Sequence, residues 1–268
     1  MKLVLFSGTH PRHLFVNREV LKYFDDILVI VMEREHLLPS PPPGISKKEE
    51  LLFRFHFENR FKIEEEAYGD LNYSDIFSKF KTIFVESNQL NSDYISEIIK
   101  KFRPDFAFIF GVNIIKNPVL EVLPKDKINL HLGLSPWYKG GATLFWPFYM
   151  LQPQFAGVTF HQISEKPDAG EVIHQTVPEL CFGEGIHDVG VKCVIKAVQD
   201  LDLLLSHWLN KQEFSGRVQS TTGRVWRGID FHPSHLRVIY DQFNDSIVDH
   251  YLAGELDQRK PQLYSCLG

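Results

Sequence analysis

An asparagine and a histidine stand two positions apart at the end of a short apolar stretch, as Asn129-Leu130-His131. Because side chains alternate between the two faces of a β-strand, a strand over 128–130 would present Asn129 and His131 on the same face at its carboxyl end. An asparagine amide can donate to an oxyanion, and a histidine can donate or accept a proton. The pair can therefore hold an oxyanion and move a proton, but the fragment also fits a hydrogen-bonded strand end without a catalytic role.

A second polar fragment contains Thr159 and His161, followed by Asp168-Ala169-Gly170. Thr159 and His161 would share one face of another strand, and the turn after that strand would carry the Asp168 carboxylate. Gly170 suits the backbone just beyond the turn. Aspartate is also a common turn former, so this fragment alone fits both a functional and a purely structural interpretation.

The elements that would position these residues alternate along the chain. Short apolar runs without polar alternation are typical of strands buried on both faces of a parallel sheet, and amphipathic stretches between them predict helices. This order predicts an α/β, Rossmann-like fold with a mainly parallel open sheet, helices on both faces and ligands beyond the carboxyl ends of the strands. The predicted strands are 3–6, 27–32, 83–85 and 106–110, and the predicted helices are 15–24, 47–68 and 92–102.

The second half of the chain predicts strands at 157–163 and 171–177 and helices at 142–150 and 186–209. The remainder is less regular, with a short amphipathic helix over 244–254. We therefore expect a first domain over 1–205 and a small C-terminal subdomain over 206–268. Phe53, Phe57 and Phe61 recur every four residues, which predicts a packing stripe on one helix.

Composition and charge exclude several classes of protein. The 268-residue chain is 44% hydrophobic and 24% charged, which is typical of a globular protein and excludes disordered and fibrous architectures. A net charge of −5 argues against a nucleic-acid partner, because proteins that bind phosphate backbones are usually basic.

The cysteines, the histidines and the start of the chain predict a metal-free cytoplasmic protein. Cys181, Cys193 and Cys266 form no C-x-x-C pair, which argues against a disulfide framework and a cysteine zinc site. His232 and His235 alone supply too few ligands for zinc. No apolar run reaches the roughly 18 residues of a membrane span, so no membrane insertion is expected. The apolar run near the start is shorter than the roughly 7–15 residues of an export signal.

Together the motifs resemble the formyltransferases that use 10-formyltetrahydrofolate. The resemblance covers roughly residues 1–205 and is strongest over 103–175. It departs where the usual Ser-Leu-Leu-Pro run is Gly133-Leu134-Ser135-Pro136, which changes side chains near the site but leaves the turn. The matching residues are Arg103-Pro104-Asp105, the strand 106–110, Gly111, Ile114-Ile115, Asn129-x-His131, Leu134-Ser135-Pro136, Gly140, Gly157-x-Thr159-x-His161 and Asp168-x-Gly170.

The resemblance implies direct formyl transfer from N10-formyltetrahydrofolate, a co-substrate, to an amine, without a metal. Asn129 would donate to the tetrahedral oxyanion, and protonated His131 would stabilise it. Asp168 would orient His131, raise its pKa and hold the water that relays a proton. Asn129, His131 and Asp168 are thus the expected catalytic residues.

The resemblance also implies where the two substrates bind. The folate would lie against the loop after the strand 106–110 and the loop around Asp168, with the acceptor near the loop after the first strand. The expected folate-binding residues are Phe110, Gly111, Val112, Ile114, Ile115, Glu165, Pro167 and Ala169. The expected acceptor-binding residues are Gly8, His10, Arg12, Tyr138, Lys139 and Gly140.

Among the acceptors known for the family that the motifs resemble, the chain length and the neutral C-terminal region favour a nucleotide-linked amino sugar used for surface polysaccharides. A 4-amino-4-deoxy sugar is the preferred acceptor. Methionyl-tRNA, glycinamide ribonucleotide and water, the last giving a formyltetrahydrofolate hydrolase, are the alternative acceptors. A non-catalytic folate- or sugar-nucleotide-binding protein is the alternative from another class. Residues 206–268 are expected to pack on the catalytic domain and to form a homodimer contact or cover the acceptor side; a simple cap on the sheet edge is the other interpretation.

Overall fold

The computed structural model describes residues 1–33, 38–211, 213–219 and 224–268. The first part of the chain contains β1 (Lys2–Ser7), α1 (Pro11–Val20), β2 (Asp26–Met32), α2 (Lys47–Tyr68), α3 (Tyr73–Phe77), β3 (Lys81–Val85), α4 (Asp93–Phe102), β4 (Phe106–Phe110), α5 (Val119–Val122) and β5 (Lys127–His131). The second part contains β6 (Tyr138–Gly140), α6 (Trp146–Tyr149), β7 (Val158–Gln162), β8 (Val172–Thr176), α7 (Ile186–Lys211), β9 (Arg224–Trp226) and α8 (Ile247–Leu252).

Seven strands form one sheet in the order β3-β2-β1-β4-β5-β7-β8. The first five of these strands are parallel, and β7 and β8 extend the sheet as antiparallel strands. The chain proceeds from β1 outward through β2 and β3, then returns to the other side of β1 as β4 and β5. The predicted Rossmann-like, mainly parallel sheet is confirmed.

Both faces of the sheet are covered by helices. Along β1, Leu3 and Leu5 belong to one core, with residues of α1, α2 and α7, whereas Val4 and Phe6 belong to the other, with residues of α4 and α5. All four side chains are fully buried. The apolar run therefore shows no polar alternation because each face of the strand is covered.

Helix α2 has the bounds predicted from the sequence, and α6 does not. Ser46 and Glu49 form a capping box at the start of α2. The expected helix over 142–150 is reduced to Trp146–Tyr149. Ala142 has a left-handed backbone with φ of 54°, which a helix cannot contain, and Pro147 lies in the first turn, the place where a helix tolerates proline.

The C-terminal region packs against the rest of the molecule. The boundary expected after residue 205 falls inside α7, which continues to Lys211. Strand β9 pairs in parallel with β6, and Trp226 stacks on Trp146 with ring centroids 3.9 Å apart. Leu236 and Ile239 are fully buried in the same core as α1 and α7. No helix among the described residues is long and apolar enough to cross a membrane.

Asp245 closes the amino-terminal end of α7. Its Oδ1 accepts from the Ile186 amide at 3.0 Å, and its backbone is left-handed with φ of 58°. Burial, reinforced by the nearby Asp188 charge and only partly offset by the Ile186 amide, raises the pKa of Asp245 to about 6. The folded protein therefore binds a proton at this carboxyl more tightly than the unfolded chain does, and stability decreases as the pH rises from about 4 to about 6.

We expect Asp245→Asn to stabilise the protein above the pKa of Asp245. Asparagine keeps an acceptor for the Ile186 amide and tolerates a left-handed backbone, but it carries no charge to desolvate. The gain should be on the order of 1–3 kcal/mol at neutral pH and should vanish below pH ~4. Thermal unfolding of both proteins across this pH range measures it. An equal effect at every pH would show that charge burial is not the cause.

Candidate active site

A large cavity opens where the strand order reverses, beyond the carboxyl ends of β1, β4 and β5. Its volume is about 1180 Å³. The loops after β1 and β4 meet there, since the Gly8 amide donates to the Phe110 carbonyl at 3.1 Å. Open α/β sheets bind ligands at this topological position. Asn129, His131 and Asp168 all line the cavity wall.

Strand pairing places Asn129 beside His161. The two residues are directly opposite in the β5–β7 ladder, and Asn129 Nδ2 lies 3.1 Å from His161 Nε2. His161 Nδ1 lies 2.8 Å from the Gln162 carbonyl, which can only accept. Nδ1 therefore carries a proton, and in the neutral ring Nε2 accepts from Asn129. This bond uses one of the two Nδ2 hydrogens of Asn129.

His131 is buried between two acceptors. Its Nε2 donates to the Tyr138 carbonyl at 2.9 Å, and its Nδ1 lies 3.6 Å from Asp168 Oδ2. Burial lowers the pKa of His131 below its usual value, and the opposing effect of the Asp168 charge and the Tyr138 carbonyl is smaller. The expectation that Asp168 keeps His131 protonated therefore needs correction, because desolvation of the ring outweighs the carboxylate. At neutral pH the ring is neutral, with its proton on Nε2.

Asp168 accepts from one backbone amide and lies beside two imidazole rings. Its Oδ2 accepts from the Gly140 amide at 2.8 Å, and its Oδ1 lies 3.3 Å from His161 Nε2. Burial favours the neutral acid, but His131, His161 and the Gly140 amide together outweigh it and hold the pKa of Asp168 well below its usual range. The carboxylate is thus ionised beside two imidazole rings.

Thr159 fixes the turn that follows β5. Its hydroxyl donates to the Gly133 carbonyl at 2.7 Å and accepts from the Ser135 amide at 3.0 Å. Gln175 donates to the Ser135 carbonyl at 2.5 Å. These bonds are made to backbone atoms of the turn and use none of the side chains at 133–135. The sequence departure at this turn leaves its backbone anchored.

The formyl transferase family matches residues 59–195, just over half of the chain, and includes Asn129, His131 and Asp168. The chain belongs to the formyl transferase family. The present protein is a formyltransferase.

Solved structures with the same fold include enzymes for different acceptors. A 4-N formyltransferase from Francisella tularensis is 17% identical, with a TM-score of 0.55 over 86% of this chain and 77% of that chain. Glycinamide ribonucleotide transformylase 1 from Symbiobacterium toebii is 13% identical, with a TM-score of 0.54 over 82% and 93%. A sugar 3N-formyl transferase, WlaRD, solved in the presence of dTDP and 5-N-formyl-THF, is 16% identical, with a TM-score of 0.53 over 87% and 71%. At these identities the likeness shows the shared fold.

Six of the eight residues expected to contact folate line the cavity. The loop after β4 is fastened by Asn91, whose Nδ2 donates to the Ile114 carbonyl and whose Oδ1 accepts from the Lys116 amide. Glu165 and Ala169 do not line the cavity, and Glu165 is exposed. The expected residues that do line it are Phe110, Gly111, Val112, Ile114, Ile115 and Pro167.

Of the six residues expected on the acceptor side, three line the cavity and three do not. His10, Arg12 and Gly140 line the cavity, whereas Gly8, Tyr138 and Lys139 do not. The Tyr138 hydroxyl donates to Gln152, so Tyr138 meets the site only through the carbonyl that accepts from His131. Lys139 is 4% exposed.

Helices α2 and α7 add cavity residues that the sequence did not reveal. Arg12 Nη1 pairs with Glu64 Oε1 at 2.9 Å, and Arg60 Nε lies 3.9 Å from the same oxygen. His56 and His187 both approach the Tyr240 hydroxyl, at 2.8 and 3.3 Å. Burial lowers the pKa of both rings, that of His187 to about 3, so both are neutral at pH 7. Trp226 and Phe231 from the C-terminal region also line the cavity.

Within residues 1–33, 38–211, 213–219 and 224–268, no group of three or more His, Cys, Asp or Glu side chains is arranged to hold a metal ion.

Gly170 is required by the close approach of β7 to the Asp168 loop. A Cβ atom at this position would lie 1.7 Å from the Gln162 carbonyl oxygen, a backbone atom that cannot turn away. We expect Gly170→Ala to displace the loop, destabilise the protein by about 1–3 kcal/mol and lower turnover. Chemical denaturation and formyl-transfer rates measure the two effects. Gly228→Ala is the control for stability, because a Cβ there meets no atom within 4 Å.

Proposed function

We propose that this formyltransferase transfers the formyl group of N10-formyltetrahydrofolate to the amino group of a nucleotide-linked amino sugar, with a 4-amino-4-deoxy sugar as the preferred acceptor. The observation that carries the proposal is the convergence of Asn129, His131 and Asp168 on the wall of one large cavity. The cavity is lined by these residues, by the loop after β4, and by residues of α1, α2 and β9. Its volume of about 1180 Å³ leaves room for two substrates beside the three residues.

The loop side suits a folate. Val112, Ile115 and Pro167 provide apolar surface in this part of the cavity, and the backbone of the loop after β4 supplies amide and carbonyl groups. A flat pteridine needs this combination of apolar faces and hydrogen-bonding edges. The 5-N-formyl-THF in the structure of the sugar 3N-formyl transferase supports the same donor here.

The part of the cavity lined by α1, α2 and β9 suits a nucleotide sugar. Arg12 and Arg60 both line this part of the cavity, and Arg12 Nη1 pairs with Glu64 Oε1 at 2.9 Å. Arginine side chains are suited to hold the two phosphates of a nucleoside diphosphate. Phe57 and Phe231 line the same part of the cavity and offer aromatic contacts for a base. The similarity to a 4-N formyltransferase and the dTDP of the sugar 3N-formyl transferase support an amino sugar linked to a nucleotide. The formylated nucleotide sugar would be made in the cytoplasm and would serve as a precursor of surface polysaccharides.

The proposed reaction forms one carbon–nitrogen bond and breaks another. The neutral amine of the sugar attacks the formyl carbon, and the formyl oxygen becomes an oxyanion to which Asn129 donates. His131, neutral before the reaction, takes the proton that the attacking amine loses, and the imidazolium is stabilised by Asp168. His131 then returns this proton to N10 of the folate as the bond between N10 and the formyl carbon breaks. No net proton is gained or lost.

Binding and turnover together test the proposal. Thermal shifts with dTDP, UDP, GDP and CDP, each with and without 5-formyltetrahydrofolate, identify the nucleotide, because a ligand of the native state raises its stability. Incubation with 10-formyltetrahydrofolate and 3-amino or 4-amino sugars on that nucleotide should then yield the N-formylated sugar by mass spectrometry. Glycinamide ribonucleotide, methionyl-tRNA and a reaction without acceptor are run in parallel. Faster formylation of either alternative amine, or formate release alone, would contradict the assignment.

A further inference from the structure

The loop that carries Asp168 has a backbone that needs external support. Asp168 has a left-handed conformation with φ of 48° in the connection between β7 and β8. A non-glycine residue in this region costs free energy and keeps the conformation only where surrounding contacts impose it. At one end of the loop, Gly170 lies so close to Gln162 that a Cβ at position 170 would be 1.7 Å from the Gln162 carbonyl oxygen. The contacts on the other side come from the chain after α7.

Gln219 fastens the backbone of this loop. Its Nε2 donates to the carbonyls of both Asp168 and Gly170, each at 2.8 Å. Two residues earlier, Arg217 exchanges two backbone hydrogen bonds with Val172, of 2.9 and 2.8 Å. The segment 217–219 therefore runs along the end of the β7–β8 connection, and one amide group spans the carbonyls on either side of Ala169.

The chain after α7 also acts on the carboxylate. Gly140, whose amide donates to Asp168 Oδ2, has φ of 91°, and a Cβ there would lie 2.1 Å from the Trp226 carbonyl oxygen. The same Trp226 carbonyl accepts from the Gly141 amide at 2.7 Å. Strand β9 thus supports the amide that holds the side chain, while Gln219 supports the backbone.

We infer that Gln219 is a positioning residue for Asp168, supplied by the C-terminal region outside the family match over 59–195. The inference rests on the role proposed above for Asp168. Without the two bonds from Gln219, the loop would sample other backbone conformations, and the carboxylate would leave its place beside His131 and His161. The effect is expected on the chemical step, because Gln219 does not line the cavity.

Gln154 provides a matched control for Gln219. Its Nε2 also donates to two backbone carbonyls, those of Asp257 and Arg259, at 2.7 and 2.9 Å, and it does not line the cavity. Both Oε1 atoms are buried. Methionine in place of either glutamine keeps a similar side-chain length and removes the donor. Gln219→Met and Gln154→Met therefore lose equivalent bonds at different distances from the reaction.

The first experiment needs no acceptor. The ring of His131 is titrated by NMR in the full-length protein and in Gln219→Met, Gln154→Met and Asp168→Asn. Besides Asp168, the groups that face this ring are the Tyr138 carbonyl, His161 and Lys139. We expect the pKa of His131 to shift in Gln219→Met toward its value in Asp168→Asn, and to stay unchanged in Gln154→Met. An unchanged value in Gln219→Met would overturn the inference.

The second experiment measures kcat and KM with 10-formyltetrahydrofolate and dTDP-4-amino-4,6-dideoxyglucose. We expect Gln219→Met to lower kcat on the order of 10-fold at unchanged KM, and to have no further effect in the Asp168→Asn background. Independent, multiplying effects of the two changes would refute positioning through Asp168. Full turnover of Asp168→Asn would instead show that the role proposed for Asp168 is wrong, whatever Gln219→Met does. Failure of the wild-type protein to formylate this sugar would bear on the proposed acceptor, and the His131 titration would still decide the inference.

Discussion

Replacing His131 by asparagine is expected to lower kcat on the order of 10²–10⁴-fold, the range that a positioned general acid–base group contributes. The asparagine amide can still donate to the Tyr138 carbonyl, which accepts from His131 Nε2 at 2.9 Å in the native protein. It cannot accept the proton that the attacking amine loses. KM should change little, because this proton transfer occurs only on the way to the transition state. Steady-state formyl transfer gives both constants.

A second buried histidine–aspartate pair serves as the control for His131→Asn. His174 Nε2 lies 3.1 Å from Asp200 Oδ2, and its Nδ1 lies 3.0 Å from the Ser265 hydroxyl, outside the cavity. His174→Asn should lower the free energy of unfolding and leave kcat unchanged. His131→Asn should lower kcat and leave the free energy of unfolding nearly unchanged. Similar turnover in the two variants would remove His131 from the mechanism.

The burial of His131 also determines in which direction kcat changes with pH. Burial holds its pKa below the ordinary value of 6.5, so the ring is ready to accept a proton at neutral pH. As the pH falls through that lowered pKa, the ring becomes protonated and can no longer serve as the base. The acidic limb of kcat therefore reports His131 and should be absent from the residual activity of His131→Asn.

The strand and helix assignments that the sequence predicted well are those determined by local features. Strand β4 is a continuous apolar run, and α2 begins at a capping box and ends at Gly69. The pairing of β6 with β9 was not predicted. Each strand has three residues, and they come from distant parts of the chain, so no periodicity marks them. The positive φ of Ala142 likewise depends on tertiary structure.

The candidate site likewise contains residues that local sequence features could place and residues that only tertiary packing brings together. Asn129 and His131 could be placed together because strand alternation fixes their common face, and Asp168 because the family motif includes it. His56 and His187 could not be placed, since their approach to Tyr240 depends on how α2, α7 and the C-terminal region pack. The protonation state of His131 also required the structure. The sequence supplies a carboxylate partner, but only the packed ring reveals the desolvation that outweighs it.

Replacing Asn129 by alanine is expected to lower kcat on the order of 10²–10³-fold, the usual cost of losing one donor to an oxyanion. Asn129 projects from the carboxyl end of β5, and only one Nδ2 hydrogen is used by its bond to His161. The oxyanion exists only after the amine attacks, so the loss should fall on kcat and leave KM for the folate nearly unchanged. Asn129→Asp, which replaces the donor by a charged acceptor of the same shape, should reduce kcat further.

Asn17→Ala is the control for Asn129→Ala, because it removes a buried amide donor outside the site. Asn17 is fully buried, its Nδ2 donates to the Ser7 hydroxyl at 2.7 Å, and it does not line the cavity. Asn17→Ala should therefore lower the free energy of unfolding by about 1–3 kcal/mol while kcat stays near the native value. Asn129→Ala should show the opposite pattern, because its partly exposed amide faces the cavity where the reacting carbon must lie. A kcat for Asn129→Ala within a factor of a few of the native value would mean that the oxyanion is stabilised by another donor.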